Sequence, residues 1–307
     1  MKNPLINVPL VALSALVSLT TLFTSCKDDK KDDPEATKSY RLKTIEFTED
    51  GDSYKNSITY TTDNKIGRFS EIENGVETYR SDWEYNGNEV TVTESYRDDA
   101  GQWITDDSYE KLIYQNGHLA ESQYYYKDTL VTRNTYVWNG TILANEAQFY
   151  YNADTVAWQY NLNYTYDGTK LLSAEWSAMG LPAQKQVIEY QGGKAIGLKL
   201  FDENNILQES SKFEYTGDKI TTISSYNVVV GVQGDIDCTE TRVYDGNKCV
   251  TDITNSCPGE GSYTEHITYE EGQSNFNDFI LTQVSWISVY LFPDTFPSEL
   301  AYKKKKK

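Results

Sequence analysis

The sequence predicts an all-β fold, and three observations lead to that prediction. The 307 residues include 25 tyrosines and 19 glycines but only two methionines, a composition that suits pleated, half-buried strands better than a helical bundle. Aromatic residues followed by short Gly, Asn or Asp turns recur along the chain. Between these turns apolar and polar residues alternate. All-β domains often run to about 200–250 residues, so one β domain accommodates all of the repeats.

Each repeat consists of an aromatic residue that ends a strand and a turn that follows it, as in Tyr85-Asn86-Gly87 and Tyr166-Asp167-Gly168. Asn-Gly and Asp-Gly favour type I′ hairpin turns, in which both central residues have positive φ. Each aromatic anchor is therefore predicted to lie beside a hairpin tip. The anchors are Tyr60, Tyr85, Tyr114, Trp138, Tyr166, Tyr190, Tyr215, Tyr244 and Tyr269.

Alternation between the anchors predicts a sheet with one apolar and one polar face. Trp158, Tyr160, Leu162 and Tyr164 fall on one face, with polar residues between them. A repeat of about 26 residues holds two strands, so nine repeats predict a meander of about 18 strands. An open twisted sheet rarely exceeds about ten strands. The meander is therefore expected to curl into a barrel-like or spiral shell, and the sequence leaves both the closure and the inward face open.

The N-terminus predicts an export signal over residues 1–25. Lys2 supplies a positive charge, an apolar run from Pro4 to Phe23 follows, and Thr24-Ser25-Cys26 ends it. The alternative is an uncleaved membrane anchor, because the apolar run is about 20 residues long. Residues 26–38 are rich in charge and poor in apolar residues, which predicts a disordered tether.

The β-repeat domain is expected to span 39–292, followed by a tail over 293–307 that ends in the lysine run 303–307. Residues 279–292 are strongly apolar and are predicted to form the last strand pair or a plug for the rolled sheet. A basic tail is usually solvated, with contact to a membrane surface as the alternative.

The Thr24-Ser25-Cys26 sequence resembles the cleavage box of bacterial lipoprotein precursors. That resemblance implies lipidation of Cys26, including palmitate-type acyl chains, and two or more such chains anchor a protein stably. Lys27-Asp28-Asp29 resembles the acidic export tag by which Bacteroides-type bacteria send lipoproteins to the outer face of the outer membrane. The resemblance therefore implies a lipid-anchored protein that faces the cell exterior.

The repeats themselves resemble the tyrosine-aspartate repeats of large bacterial shell and wall proteins, as in residues 166–171 and 244–249. Together with the lipoprotein start, the chain resembles a family of uncharacterised Bacteroides lipoproteins with a porin-like β fold. The resemblance covers about residues 40–280. It implies a topology and says almost nothing about activity.

Composition and motifs argue against several classes of function. The formal net charge of −18 repels polyphosphate, so no nucleic-acid partner is expected. The two histidines, His118 and His266, have no zinc-type spacing to other ligands, and no Gly-x-Ser-x-Gly nucleophile motif occurs. The chain is therefore predicted to be no enzyme and to use no metal or cofactor. A glycoside hydrolase with paired carboxylates is the alternative, because its two acids can come from distant strands.

Export permits a disulfide. Folding about Asp245-Gly246 leaves Cys238 at the far end of its strand, near the loop that carries Cys257, so Cys238 is predicted to pair with Cys257. Cys249 is then expected to be free, and a Cys249–Cys257 pair is the alternative.

Trp103 and Trp176 lie near predicted outer turns and are the candidate residues for stacking on a sugar ring. The sequence thus predicts a monomeric surface lipoprotein that binds a glycan or a protein ligand, or acts as a scaffold. A purely structural envelope component is the other alternative.

Overall fold

A computed structural model describes residues 40–49, 51–152, 155–245, 249–259 and 261–272. These residues form one antiparallel sheet of 18 strands in which every strand pairs with its neighbours in sequence. The first strand pairs with both the second and the last, so the sheet is closed into a barrel. The strands are β1 (Tyr40–Glu49), β2 (Asp52–Tyr60), β3 (Ile66–Glu73), β4 (Val76–Asn86), β5 (Glu89–Arg97), β6 (Trp103–Gln115), β7 (His118–Tyr126), β8 (Thr129–Asn139), β9 (Ile142–Asn152), β10 (Thr155–Asp167), β11 (Lys170–Ala178), β12 (Leu181–Gln191), β13 (Lys194–Phe201), β14 (Leu207–Thr216), β15 (Lys219–Val229), β16 (Val232–Tyr244), β17 (Val250–Cys257) and β18 (Gly261–Glu271).

The predicted all-β meander of about 18 strands is confirmed, and the choice between barrel and spiral is settled in favour of the barrel. Closure removes the two free sheet edges, which would otherwise offer unpaired backbone groups to other chains. The export signal, the tether, the apolar segment 279–292 and the lysine tail lie outside the described residues.

The barrel has two ends of different character. The anchor end carries the turns that follow the even-numbered strands, together with the start of β1 and the end of β18, where Tyr40 pairs with Glu271. All nine aromatic anchors lie at this end, as the repeat pattern predicts. The opposite end carries the turns that follow the odd-numbered strands, so the described chain begins at the anchor end, at Tyr40.

A recurring bulge positions the aromatic anchors. In all hairpins of the anchor end except β4–β5, and at the β1–β18 closure, the register skips one residue of the following strand. Such a bulge interrupts the ladder of backbone hydrogen bonds. The anchor of the next repeat donates a side-chain hydrogen bond of 2.6–2.7 Å to the carbonyl just before the bulge. The six pairs are Tyr60 to Leu42, Trp138 to Leu119, Tyr166 to Leu143, Tyr190 to Leu171, Tyr215 to Ala195 and Tyr244 to Ile220.

A basic side chain covers most of these rings. Lys170 lies 3.9 Å from the centroid of Tyr190, and Arg41 lies 3.9 Å from that of Tyr60, within the range of a cation–π contact. The same position supplies Lys65 over Tyr85, Lys194 over Tyr215, Lys219 over Tyr244, and His118 stacked on Trp138. Adjacent repeats are thus joined by a hydrogen bond and a ring contact as well as by the strand ladder.

Changing Tyr190 to phenylalanine is expected to lower the free energy of unfolding by about 1 kcal/mol. The loss follows because the Leu171 carbonyl beside the bulge loses its donor while the ring stays in place. Urea unfolding followed by tryptophan fluorescence measures the difference. The control is Tyr96→Phe, whose ring is 43% exposed and which is expected to leave stability unchanged. Equal effects of the two changes would contradict the proposed role of the anchors.

The turns differ from the type I′ expectation in one respect. Asn116 and Gly117 both have positive φ, as type I′ requires. In the turns after β4, β8, β10 and β14, the glycine is the first of the two loop residues and it alone has positive φ, which is the type II′ arrangement. The preceding Asn, Asp or Thr completes the strand instead. A two-residue turn at Asp245-Gly246 would pair Arg242 with residue 249. The β16–β17 connection instead spans residues 245–249, so Arg242 pairs with Ile253.

The apolar face lines the inside of the barrel. Leu112, Leu119, Leu143 and Leu171 are fully buried at the anchor end, and Leu162 and Tyr164 are buried on the predicted apolar face of β10. The outer face carries cross-strand ion pairs with nitrogen–oxygen distances of 2.6–3.3 Å. They are Lys55–Glu46, Arg68–Asp82, Lys111–Glu89, Arg133–Glu121 and Lys199–Glu189.

Candidate functional site

Above the apolar layer, the inner face carries a layer of carboxylates. Glu110 lies opposite Val92, Glu146 opposite Leu162, and Glu265 opposite Ile253, so each points to the same side as a buried apolar residue. Glu209 opposite Leu200 and Glu240 opposite Ile223 extend the layer. Arg242 is the only buried Lys or Arg among the described residues. The inner face is therefore acidic as well as apolar.

Burial raises the pKa values of several of these carboxyl groups. Burial raises the pKa of Glu110 and that of Glu146 to about 7. The hydrogen bonds from Ser122 and Tyr164 lower these two pKa values but do not offset the effect of burial. The hydroxyl of Tyr164 lies 3.0 Å from Oε2 of Glu146. Because an ionised carboxylate loses its hydration when buried, these two groups are neutral over part of the physiological pH range.

A cluster of buried polar side chains lies on the inner face of β16, β17 and β18. Nε of Arg242 lies 2.6 Å from Oε1 of Glu240, and both side chains are nearly inaccessible. Glu240 faces Asn255, while Glu265 lies in the same row as Arg242. Burial, and then the nearby charge of Glu240, raises the pKa of Glu265 to about 8. Oε2 of Glu265 and Nδ2 of Asn255 are buried and have no hydrogen-bond partner among the residues that the structure describes.

A disulfide lies beside this cluster, on the side that is farther from the anchor end of the barrel. The structure joins Cys238 of β16 to Cys257 of β17, with their Cα atoms 4.2 Å apart. Thr239 of β16 pairs with Ser256 of β17, and Cys238 and Cys257 are the next residues on the two strands. The disulfide therefore joins directly opposed positions. Cys249 is buried and is itself disulfide-bonded. The expectation that Cys249 stays a free thiol is therefore wrong. The remaining cysteine, Cys26, lies outside the described residues.

Trp176 lies on the inner face, within a series of ring contacts. Its centroid is 6.2 Å from that of Tyr160, which is 5.5 Å from Trp158, which is 5.1 Å from Tyr150. Trp176 also packs against the apolar core. These contacts give Trp176 a structural role inside the barrel.

Trp103 lies on the opposite face of the sheet, on β6. The guanidinium carbons of Arg80 and Arg97 lie 4.3 and 5.2 Å from its ring centroid. Trp103 and Trp176 are therefore on different faces and five strands apart, and the structure does not bring them together in one groove. Nearby on the outer face, Tyr109 and Tyr125 stack with centroids 4.8 Å apart. Sequence reasoning missed this tyrosine pair, because only the cross-strand register reveals it.

The two histidines lie far apart as well. His118 stacks on Trp138 at the anchor end. His266 is on the outer face, where its Nδ1 lies 2.6 Å from Oδ1 of Asp252. Among the described residues, no group of three or more His, Cys, Asp or Glu side chains has the geometry of a metal site.

The opposite end carries an apolar surface. A depression of about 420 Å³ is lined by Phe201, Ile206, Leu207 and Val230, among others. Val230 stands at the tip of the β15–β16 hairpin, 92% exposed and with φ 50°, a conformation that a β-branched residue rarely adopts. Exposed apolar patches of this kind often mark interaction surfaces.

Comparison with solved structures finds porin-like proteins of Bacteroides among the chains that are similar to this one. A porin-like protein from Bacteroides uniformis has a TM-score of 0.44 at 10% identity and covers 74% of this chain and 96% of its own. A porin-like protein from Bacteroides vulgatus has a TM-score of 0.34 at 11% identity and covers 75% and 98%. A crystal structure of TcdB2-TccC3-Cdc42 has a TM-score of 0.28 at 12% identity and covers 81% of this chain but 16% of its own. No family model and no curated protein matches the chain.

The described residues include no helix with the length and apolar character needed to cross a membrane.

Proposed function

We propose that the protein is a lipoprotein of the outer membrane, anchored through Cys26, whose barrel stands in water on the cell exterior. The charged outer face is the observation that carries the proposal. Membrane-spanning barrels present an outward apolar band about 25 Å tall and keep polar groups inside. This barrel has the reverse arrangement, with ion pairs such as Arg68–Asp82 outside and the leucine layer inside.

The position of the chain ends supports an orientation. The described chain begins at Tyr40, at the anchor end of the barrel. A lipid on Cys26 would therefore hold the anchor end towards the membrane. The opposite end, with its apolar depression, would face away from the membrane.

Fractionation of the full chain tests the anchor. Wild-type protein is expected in the detergent phase of a phase-separation experiment, and Cys26→Ala in the aqueous phase. The matched control, Ser256→Ala, is expected to stay with the detergent. A Cys26→Ala variant that remains membrane-bound would contradict the lipid anchor and would favour either an uncleaved membrane anchor over residues 4–23 or a barrel that itself enters the bilayer. Lipidation uses the sulfur of Cys26, and Cys26 is the one cysteine of the chain left to bond Cys249 once Cys238 and Cys257 are joined. The proposal therefore predicts a Cys249 thiol in the lipidated chain, and a non-reducing peptide map that joins Cys26 to Cys249 would contradict it.

We further propose that the barrel is a monomeric, non-enzymatic module that binds a glycan or a protein, or acts as a scaffold. The two carboxylates of the β16–β18 cluster, Glu240 and Glu265, are each 6% exposed. A glycosidase needs its acid pair open to the sugar chain, so their burial disfavours the hydrolase alternative. The candidates for contact are the partly exposed Tyr109–Tyr125 stack for a sugar ring and the exposed Val230 tip for a protein.

A glycan and peptide array with the full chain tests the binding role, with hydrolysis monitored. Tyr109→Ala is expected to abolish binding to a glycan, whereas Val230→Asn is expected to abolish binding to a peptide. Asn suits a positive φ, so the second change preserves the turn. Trp103→Ala and Trp176→Ala test the two tryptophan candidates in the same format. No binding by the wild type would favour a structural envelope component, and hydrolysis would favour the enzyme.

A further inference from the structure

Two arginines on the outer face of the barrel converge on one tryptophan. The guanidinium carbons of Arg80 and Arg97 lie 4.3 and 5.2 Å from the ring centroid of Trp103. Because both distances are measured to the same ring, the two charges lie within about 10 Å of each other, close enough to act together at physiological salt. The three side chains therefore form one cationic group, on a chain whose formal net charge is −18.

The carboxylates within ion-pair distance balance this charge only in part. Oδ2 of Asp82 lies 3.6 Å from Nε of Arg80, while Oδ1 of Asp82 accepts a hydrogen bond of 2.6 Å from Nε of Arg68. Nε of Arg80 is buried and has no hydrogen-bond partner among the described residues. Arg97 is exposed and forms no ion pair with a residue that the structure describes. One carboxylate is thus set against three guanidinium groups.

The acidic residues of the adjoining β5–β6 turn do not supply the missing charge. Oδ1 of Asp98 accepts hydrogen bonds of 3.0 and 2.8 Å from the backbone N–H groups of Ala100 and Gln102, and Asp99 is exposed in the turn. The two acidic residues in the middle of β6 also have partners, Asp106 with the backbone of Ser108 and Asp107 with Lys127. The arginine pair therefore keeps N–H donors available for an external anion.

The same outer face carries an aromatic surface beside the arginine pair. Tyr109 and Tyr125 stack with their ring centroids 4.8 Å apart. Tyr109 lies opposite Thr93 of β5, and Trp103 lies opposite Arg97 of the same strand. Four residues of a strand span about 13 Å, so the tyrosine stack and the arginine pair lie along one line on the outer face. A chain of linked sugar rings has the shape to contact both.

We propose that the outer face of β4–β7 binds an acidic saccharide, whose carboxylate or sulfate group is held by Arg80 and Arg97 while a neighbouring sugar ring packs on the tyrosine stack. This inference rests on the glycan-binding role proposed above and names the class of glycan. Guanidinium groups bind oxyanions through paired N–H donors and also stack on aromatic rings. Trp103 then positions the two arginines, and the unpartnered Nε of Arg80 is a donor, as an anion requires.

Affinities of the full chain for four hexasaccharides test this inference. The probes are hexagalacturonate, its methyl ester, sulfated maltohexaose and maltohexaose, so that within each pair the rings are the same and the charge differs. At least one acidic member is expected to bind about tenfold more tightly than its neutral counterpart, and the pair that differs identifies carboxylate or sulfate. Hexaglutamate, an acidic peptide without sugar rings, is expected to bind about tenfold more weakly than that acidic saccharide.

Variants assign the affinity to the arginine pair. Arg97→Gln is expected to weaken binding of the acidic saccharide about tenfold and to leave binding of the neutral one unchanged. Arg97 is exposed, so this variant is expected to fold, and Arg80→Gln is expected to act in the same direction. Lys212→Gln removes one positive charge from the exposed outer face of β14 and is expected to keep the affinity.

The outcomes separate this inference from the broader glycan-binding role. Equal affinities within both pairs would overturn the preference for an acidic sugar and leave glycan binding intact. Failure of all four hexasaccharides to bind would overturn the inference, and the glycan array then decides the broader role. Hexaglutamate binding as tight as that of the acidic saccharide, or wild-type affinity in Arg97→Gln, would also contradict it.

Discussion

Changing Glu146 to glutamine is expected to make the protein more stable at pH 9 and to leave its stability at pH 4 nearly unchanged. Burial raises the pKa of Glu146 in the folded protein to about 7, from 4.5 as its ordinary value. A raised carboxyl pKa contributes stability that is complete below about pH 4.5 and lost as pH rises through about 7. Glutamine is neutral throughout and its carbonyl oxygen can accept the Tyr164 hydrogen bond. The gain at pH 9 is expected to be about 2–3 kcal/mol.

Urea unfolding at the two pH values measures this difference. Glu175→Gln provides the control, because Glu175 is exposed on β11 and its neutralisation is expected to have a small effect at both pH values. The wild type is itself expected to lose stability between about pH 5 and pH 9, since the pKa values of Glu110 and Glu265 are raised as well. A Glu146→Gln variant with the same stability as the wild type at pH 9 would show that Glu146 is hydrated.

Removing the Cys238–Cys257 disulfide by a double change to alanine is expected to lower the free energy of unfolding by about 3 kcal/mol. The bridge closes a loop with a sequence separation of 19 residues, and cross-linking a loop of this size restricts the unfolded chain by about that amount. It also joins β16 to β17 beside the charged cluster, so its loss is expected to increase hydrogen exchange in those two strands first.

Urea unfolding and hydrogen exchange of the full chain test this second expectation. Ser256→Ala is the matched control, because Ser256 is the exposed neighbour of Cys257 and takes no part in the bridge. Unchanged stability of the double variant would mean that the strand ladder alone fixes this part of the barrel.

The repeat pattern was sufficient to predict the hairpins, because turn chemistry and alternation are local properties. Tyr166-Asp167-Gly168 specifies a tight turn, and Trp158 to Tyr164 specify an inward face. Closure was beyond local reasoning. The contact between β1 and β18 joins residues about 220 positions apart, such as Ile45 and Ile267, and no pattern within one repeat encodes it.

The inward position of Glu146 was missed because of a bulge. Alternation alone would place Glu146 outside, since it is three residues after the inward Leu143. The bulge at residue 144 shifts the phase by one, so both point inward. The same spacing recurs in Leu171 and Ala174, Ile220 and Ile223, and Val250 and Ile253. Apolar residues three apart after several anchor turns were the available signal.

The closed barrel is the central claim, and a designed cross-link tests it most directly. Glu46 of β1 and His266 of β18 face each other across the closure, on the outer face. A chain with Glu46→Cys and His266→Cys is expected to form an intramolecular disulfide between these positions on oxidation, detected by non-reducing peptide mapping. Glu46→Cys with Thr254→Cys, one strand further away, is expected to form none. Absence of the first link, with the chain folded, would contradict closure and favour an open spiral.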